Sequence, residues 1–103
     1  MDSELKEMIN QLEAGQTEAD LGGGVYKVRL ARPGEGKSGG YRVIVFFKSK
    51  ERTFFVYGFA KSVRENIDQG ELRIFKNRSK DALSMTDRQI SDRLKNKTLI
   101  EVL

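Results

Sequence analysis

The chain contains no cysteine and no histidine. Without cysteine there is no disulfide framework and no thiolate chemistry, which suits a reducing compartment. Without histidine it lacks the commonest metal ligand and the usual proton carrier near neutral pH. A zinc site is therefore not expected, nor is a cofactor, and any catalysis has to run on Lys, Arg, Tyr or carboxylates. No apolar run is long enough to span a bilayer, and the opening MDSELKEMINQLEAG is acidic and amphipathic, unlike a signal peptide. Internal repeats and low-complexity tracts are missing too. A length of 103 residues suits one domain, 1–103, with a modest core. The expectation is a cytoplasmic protein with no membrane association.

What the chain does have is positive charge, concentrated in one stretch. Residues 24–64 hold Lys27, Arg29, Arg32, Lys37, Arg42, Lys48, Lys50, Arg52, Lys61 and Arg64 against Glu35 and Glu51, a net of +8. The whole chain is +4, so the rest sums to −4. A concentrated basic field is the footprint of a polyanion site, most often nucleic acid. A solvated Lys/Arg surface gives the same count, so charge alone does not decide.

The same stretch reads as three strands. Val25 to Arg32 alternates, with Tyr26, Val28 and Leu30 on one face and Val25, Lys27, Arg29 and Ala31 on the other. Tyr41–Lys48 and Thr53–Phe59 are rich in β-branched and aromatic residues. The expected fold is α+β, with an antiparallel meander at about 25–31, 41–48 and 52–60. Apolar residues fall on both faces of the last two strands, which asks for helices on one side and partial cover on the other. In a hairpin the start of one strand faces the end of the next, which should bring Arg42 near Lys61. The connection RPGEGKSGG contains a relaxed phosphate-loop pattern, A-x4-G-K-S. Such a loop needs a helix after it, and here YRVIVFFK follows, so it reads as a basic hairpin loop.

Helices are expected at both ends. Leu5, Met8, Ile9 and Leu12 share one helical face in residues 3–14, with Asp2 or Ser3 as cap and Gly15 as terminator. QTEADLGGG then reads as a loop. After Arg64, ENIDQGELRIFKNRSKDAL has a capping box at Asp68 and Glu71 and an inner stripe of Leu72, Phe75, Ser79, Ala82 and Leu83. Thr86 with Gln89 opens a further short helix with Ile90 and Leu94 inward. Two consecutive helices suggest a helix-turn-helix, but LSMT lacks the usual glycine turn and Asp87 and Asp92 oppose DNA. The terminal TLIEVL is expected to add a strand at 98–103.

The pairing of R-x-G-x-G-K-x-G-G-Y-R with Y-G-F-A-K, inside LARPGEGKSGGYRVIVFF and FFVYGFAKSVRENI, resembles the RelE/ParE toxin superfamily, nearest its RelE-like, HigB-type branch. The resemblance covers roughly residues 5–83. It implies a small antiparallel sheet flanked by helices, and an antitoxin encoded beside the toxin. Many members cut mRNA on the ribosome by 2′-OH attack, and others poison DNA gyrase. The cutting members work with cations and a tyrosine, so the missing histidine is no objection.

Carried over by position, Lys27 and Arg29 match the basic pair before the loop, Lys27 as general base. Arg42 matches the phosphate-clamping arginine, and Lys61 and Arg64 fall near the leaving-group arginine. Arg32 and Lys37 are expected to hold RNA backbone. Relatives place a tyrosine where this chain has Glu65–Asp68, and Tyr57 is the residue that can substitute. Relatives also begin with a strand that this chain is expected to lack, and the sheet edge left open favours a homodimer or antitoxin docking. The function implied is a ribosome-dependent mRNA endonuclease toxin with ribosome, mRNA and antitoxin as partners. The alternative is a non-catalytic member of the fold, a gyrase inhibitor or a degenerate antitoxin-binding protein.

Overall fold

The computed structural model describes residues 2–32, 36–60, 62–64 and 66–101, and the side chains among them other than 2, 3, 31, 32 and 36–39. Helix α1 (Asp2–Glu13) leads into strands β1 (Ala19–Gly22), β2 (Val25–Arg32), β3 (Gly36–Lys48) and β4 (Arg52–Ala60), followed by helices α2 (Gln69–Leu83) and α3 (Asp87–Lys95). The strands form one antiparallel sheet in the order β1-β2-β3-β4.

Strand alternation divides the apolar residues into two cores, one on each face. On the first, Met8 and Leu12 of α1 bury against Val28, Val43 and Val45, with Leu5, Tyr26, Leu30, Phe47 and Phe55 around them. The helix supplies these residues at the spacing of one face, and Gly15 ends it at φ +74°, where a Cβ would be strained. On the second face, Val25, Ile44, Phe46 and Phe59 bury under α2, beside Phe75, Ala82 and Leu83. Both C-terminal helices start at the expected capping boxes, Asp68 with Glu71 and Thr86 with Gln89. Helix α2 thus begins directly after its cap, Asp68.

Three expectations need correction. The acidic and glycine-rich segment after α1 contains a strand, β1, and not only loop. Its glycines make this possible: Gly23 and Gly24, at φ +64° and +81°, form a two-residue turn whose twist suits a hairpin. The glycine-rich connection before Tyr41 is also mostly strand, because β3 already pairs from Gly36, opposite Arg32. Pairing with β2 at Gly36 and again at Tyr41, across a register shift, keeps the segment between them extended despite its low strand preference.

Third, residues 98–101 form no strand, and 102–103 lie outside the described residues. Lys97 turns left-handed at φ +63°, and the Leu99 N–H donates to Arg93 O at 3.1 Å, folding the chain back onto the end of α3. The strand added to the three expected ones is β1, at the sheet edge beside β2.

Candidate active site

The cations of the basic stretch do not act as one patch. Lys48 pairs with Glu51 at 3.1 Å, and Arg52 donates from Nη1 to Met85 O at 2.6 Å, just past α2, and to Ala82 O in its last turn at 3.4 Å. Lys27, Arg29, Arg42 and Arg64 come together on the face that α2 partly covers. Arg29 stands directly across from Arg42, and Arg42 from Phe59; Lys27 stands across from Ile44, and Ile44 from Tyr57. Lys61, expected near Arg42, lies outside the described residues, as do the side chains of Arg32 and Lys37.

Tyr57 reaches this face because of a β-bulge. Counting by twos from Phe54 would send it to the α1 side, with Phe55. The register shifts between Ile44 and Val45, so that Val45 faces Phe55, Ile44 faces Tyr57, and Val56 is the extra residue. The Tyr57 ring therefore packs against Phe75 of α2 at 6.0 Å and Phe59 at 5.9 Å.

Two carboxylates that residue patterns did not assign to the site organise these cations. Glu18 is the first. Its backbone N–H donates to Lys27 O at 2.9 Å, which brings its side chain over β2 and β3. Arg29 Nε and Arg42 Nε donate to Glu18 Oε1 at 3.0 and 2.9 Å, and Lys27 Nζ lies 3.7 Å from Oε2. Burial acts to raise the Glu18 carboxyl, but the hydrogen bonds from Arg29 and Arg42, with the charges of Arg42 and Lys27, outweigh it and hold the group below its ordinary value. Arg42 is 1% exposed, so the residue expected to clamp phosphate is presented to Glu18 and not to solvent.

Glu71 is the second carboxylate. It accepts from both terminal nitrogens of Arg64, one at 3.1 Å, and from the Asp68 N–H at 3.0 Å. The Arg64 bond first, then the Asp68 N–H, bring its carboxyl down to about 2. The capping box thus serves twice, starting α2 and holding Arg64. Arg64 also donates to Asn66 O at 2.9 Å and to the Tyr57 hydroxyl at 3.3 Å, with its guanidinium 5.7 Å above the Phe59 ring. Glu71 and then Tyr57 push Arg64 above its ordinary value. Lys27 Nζ lies 3.4 Å from Asn66 Oδ1, so Asn66 links the Glu18 group to the Arg64 group.

The pattern carried a signal for Glu71, its capping-box spacing. For Glu18 it carried only a sign opposite to the strand beside it. A separate groove of about 870 Å³ lies between β4 and the last two helices, lined by Phe54, Val56, Met85 and Arg93 among others, and shares no residue with the cationic group.

A four-stranded antiparallel sheet with helices on both faces, carrying clustered cations and a phenol on one of them, defines a small basic α+β protein with its site on a sheet face. No curated protein and no solved structure gives a match to the chain. The model of one family does match: the RelE toxin of the RelE/RelB toxin–antitoxin system, over residues 1–102. The chain belongs to that family. It is the toxin of a toxin–antitoxin system, and an antitoxin is its partner. Among the described residues no helix is long and apolar enough to cross a membrane.

Proposed function

We propose that the protein is a cytoplasmic, ribosome-dependent endoribonuclease that cuts mRNA by attack of a 2′-hydroxyl on the adjacent phosphodiester. The observation that carries the reading is the convergence of Lys27, Arg29, Arg64 and Tyr57 on one sheet face within a toxin family. The reaction needs the 2′-proton removed, charge on the phosphorane stabilised and the leaving 5′-oxygen protonated. Lys27, as its free amine, takes the 2′-proton while the 2′-oxygen bonds to phosphorus. Arg29 and Arg64 carry the charge that develops on the non-bridging oxygens. Tyr57 gives its proton to the departing 5′-oxygen, leaving a 2′,3′-cyclic phosphate and a free 5′-hydroxyl. Arg64 donates to the Tyr57 oxygen, so the phenol's own hydrogen is directed elsewhere and is free for transfer.

Primer extension on a reporter mRNA in a purified translating system tests this. Cuts within codons that require ribosomes are expected. Tyr57→Phe should slow cutting about 100-fold or more, the usual worth of a positioned proton donor. An intact message would overturn the reading. One observation favours the second reading, a non-catalytic member of the fold: each of the four cations already holds a carboxylate. Growth arrest with DNA breaks and intact mRNA would support it.

A further inference from the structure

We propose that Glu18 is an internal stand-in for a phosphate: its carboxylate fills an oxyanion subsite made by Lys27, Arg29 and Arg42, and an RNA phosphate occupies that subsite by displacing it. The proposal rests on the RNA reading of this face and adds a residue to it, a built-in competitor that the substrate has to remove.

The first argument is charge. Three cations from two adjacent strands meet on one carboxylate, so the group keeps a net of +2. The second is an imbalance of hydrogen bonds. A guanidinium has five N–H donors in a fork suited to paired oxyanion oxygens. Arg42 spends only Nε on Glu18, and its Nη1 and Nη2 are buried with no hydrogen-bond partner among the described residues. Glu18 Oε2 also has none among the described residues; it lies 2.8 Å from Arg42 Nε as an ion-pair contact outside hydrogen-bond angles. Buried donors left unused are rare in folded proteins and call for a cause. A carboxylate on a short side chain reaches one corner of the fork, whereas a tetrahedral phosphodiester offers two non-bridging oxygens in a wider arc.

The third argument is access. The Glu18 side chain is 20% exposed and that of Arg29 45%, so solvent reaches both side chains although Oε2 itself is buried. Glu18 directly precedes β1, an edge strand of four residues whose register breaks between Asp20 and Gly22. A side chain on such a segment can turn outward without unpairing the centre of the sheet. Its departure also releases Lys27 Nζ from its ion pair with the carboxylate.

The test is binding of a fluorescein-labelled single-stranded RNA 12-mer to the full chain, read by anisotropy between 50 and 300 mM salt. Glu18→Gln keeps the shape and removes the charge. It should bind about 5–10-fold more tightly than the unaltered protein at 100 mM salt. The slope of log K against log salt should steepen by about 0.7, the value for one further phosphate contact on a single strand. Equal affinity and slope, or weaker binding by a folded Glu18→Gln, would overturn the proposal, because Glu18 would then be a strut for the cations. Should Glu18→Gln fail to fold, inorganic phosphate added to the unaltered protein decides. Saturable shifts of the Arg29 and Arg42 Nε–H resonances, absent with chloride, support the subsite, and unmoved resonances overturn it. Phosphate shifts with an unchanged RNA slope in Glu18→Gln would mark a free-phosphate site and overturn the RNA claim. The two readings fail separately: intact mRNA with tighter binding by Glu18→Gln removes the nuclease and leaves the subsite, and cut mRNA with unchanged binding does the reverse.

Discussion

Replacing Gly24 by alanine should destabilise the protein by about 2–3 kcal/mol, through two separable causes. The first is conformational: Gly24 sits at φ +81°, and an L-residue held there costs roughly 1–2 kcal/mol. The second is a collision. A Cβ on Gly24 would lie 2.5 Å from Leu83 Cδ1, so the leucine has to leave its place on the second core. Full burial of a leucine is worth about 1.5–3 kcal/mol, and Leu83 is half-buried, which makes its displacement worth about 1 kcal/mol or a little more. Gly23 is the internal control: its φ is +64°, but a Cβ there meets nothing nearer than 3.8 Å. Gly23→Ala should therefore show the conformational cost alone. Urea unfolding of Gly23→Ala, Gly24→Ala, Leu83→Ala and the Gly24→Ala/Leu83→Ala double variant measures each part. The double variant should be at least about 1 kcal/mol more stable than additivity requires, because the truncated leucine no longer obstructs. Equal costs at the two glycines, with an additive cycle, would refute the reasoning. The contact matters for function because it helps seat α2, which carries Glu71 and so positions Arg64.

Acid should loosen the same arrangement. Glu71 has its carboxyl lowered to about 2 from an ordinary 4.5, so its contribution is complete above about 4.5 and is lost as pH falls towards 2. Melting temperature should drop across that window, and Glu71→Gln should show a shallower drop; identical curves would refute the assignment. Thr86→Ala removes the N-cap of α3, worth about 1 kcal/mol to that helix. Since α3 fully buries no residue, the loss should appear as faster amide exchange within Asp87–Lys95 while global unfolding stays put.

Much of the fold was legible from residue patterns because those patterns are local. The spacing of Leu5, Met8 and Leu12 and the glycine after them define α1. The alternation in Val25–Arg32 assigns Lys27 and Arg29 to one face and Val28 to the other. Asp68 with Glu71, and Thr86 with Gln89, mark two helix starts, since a cap and its reciprocal partner lie within one turn. Family membership followed from the basic loop and strand pattern around Gly36–Arg42 and Tyr57–Lys61.

The site was less legible, because it depends on parity and on pairing across the sheet. One extra residue at Val56 reverses the face of everything after it, and whether a residue is extra depends on the partner strand. This is why Tyr57 joins the cations. Glu18 lies in a stretch whose composition says loop, and only the ladder between β1 and β2 carries its carboxylate to Arg29 and Arg42. The order of residues by itself thus determined that the protein would be basic on one stretch, without histidine or cysteine chemistry, and folded around helices and an antiparallel sheet. Tertiary structure alone decided which cations meet, that Arg42 is buried, and which carboxylates hold them. Charge is a property of the residue, whereas its neighbours are set by strand register.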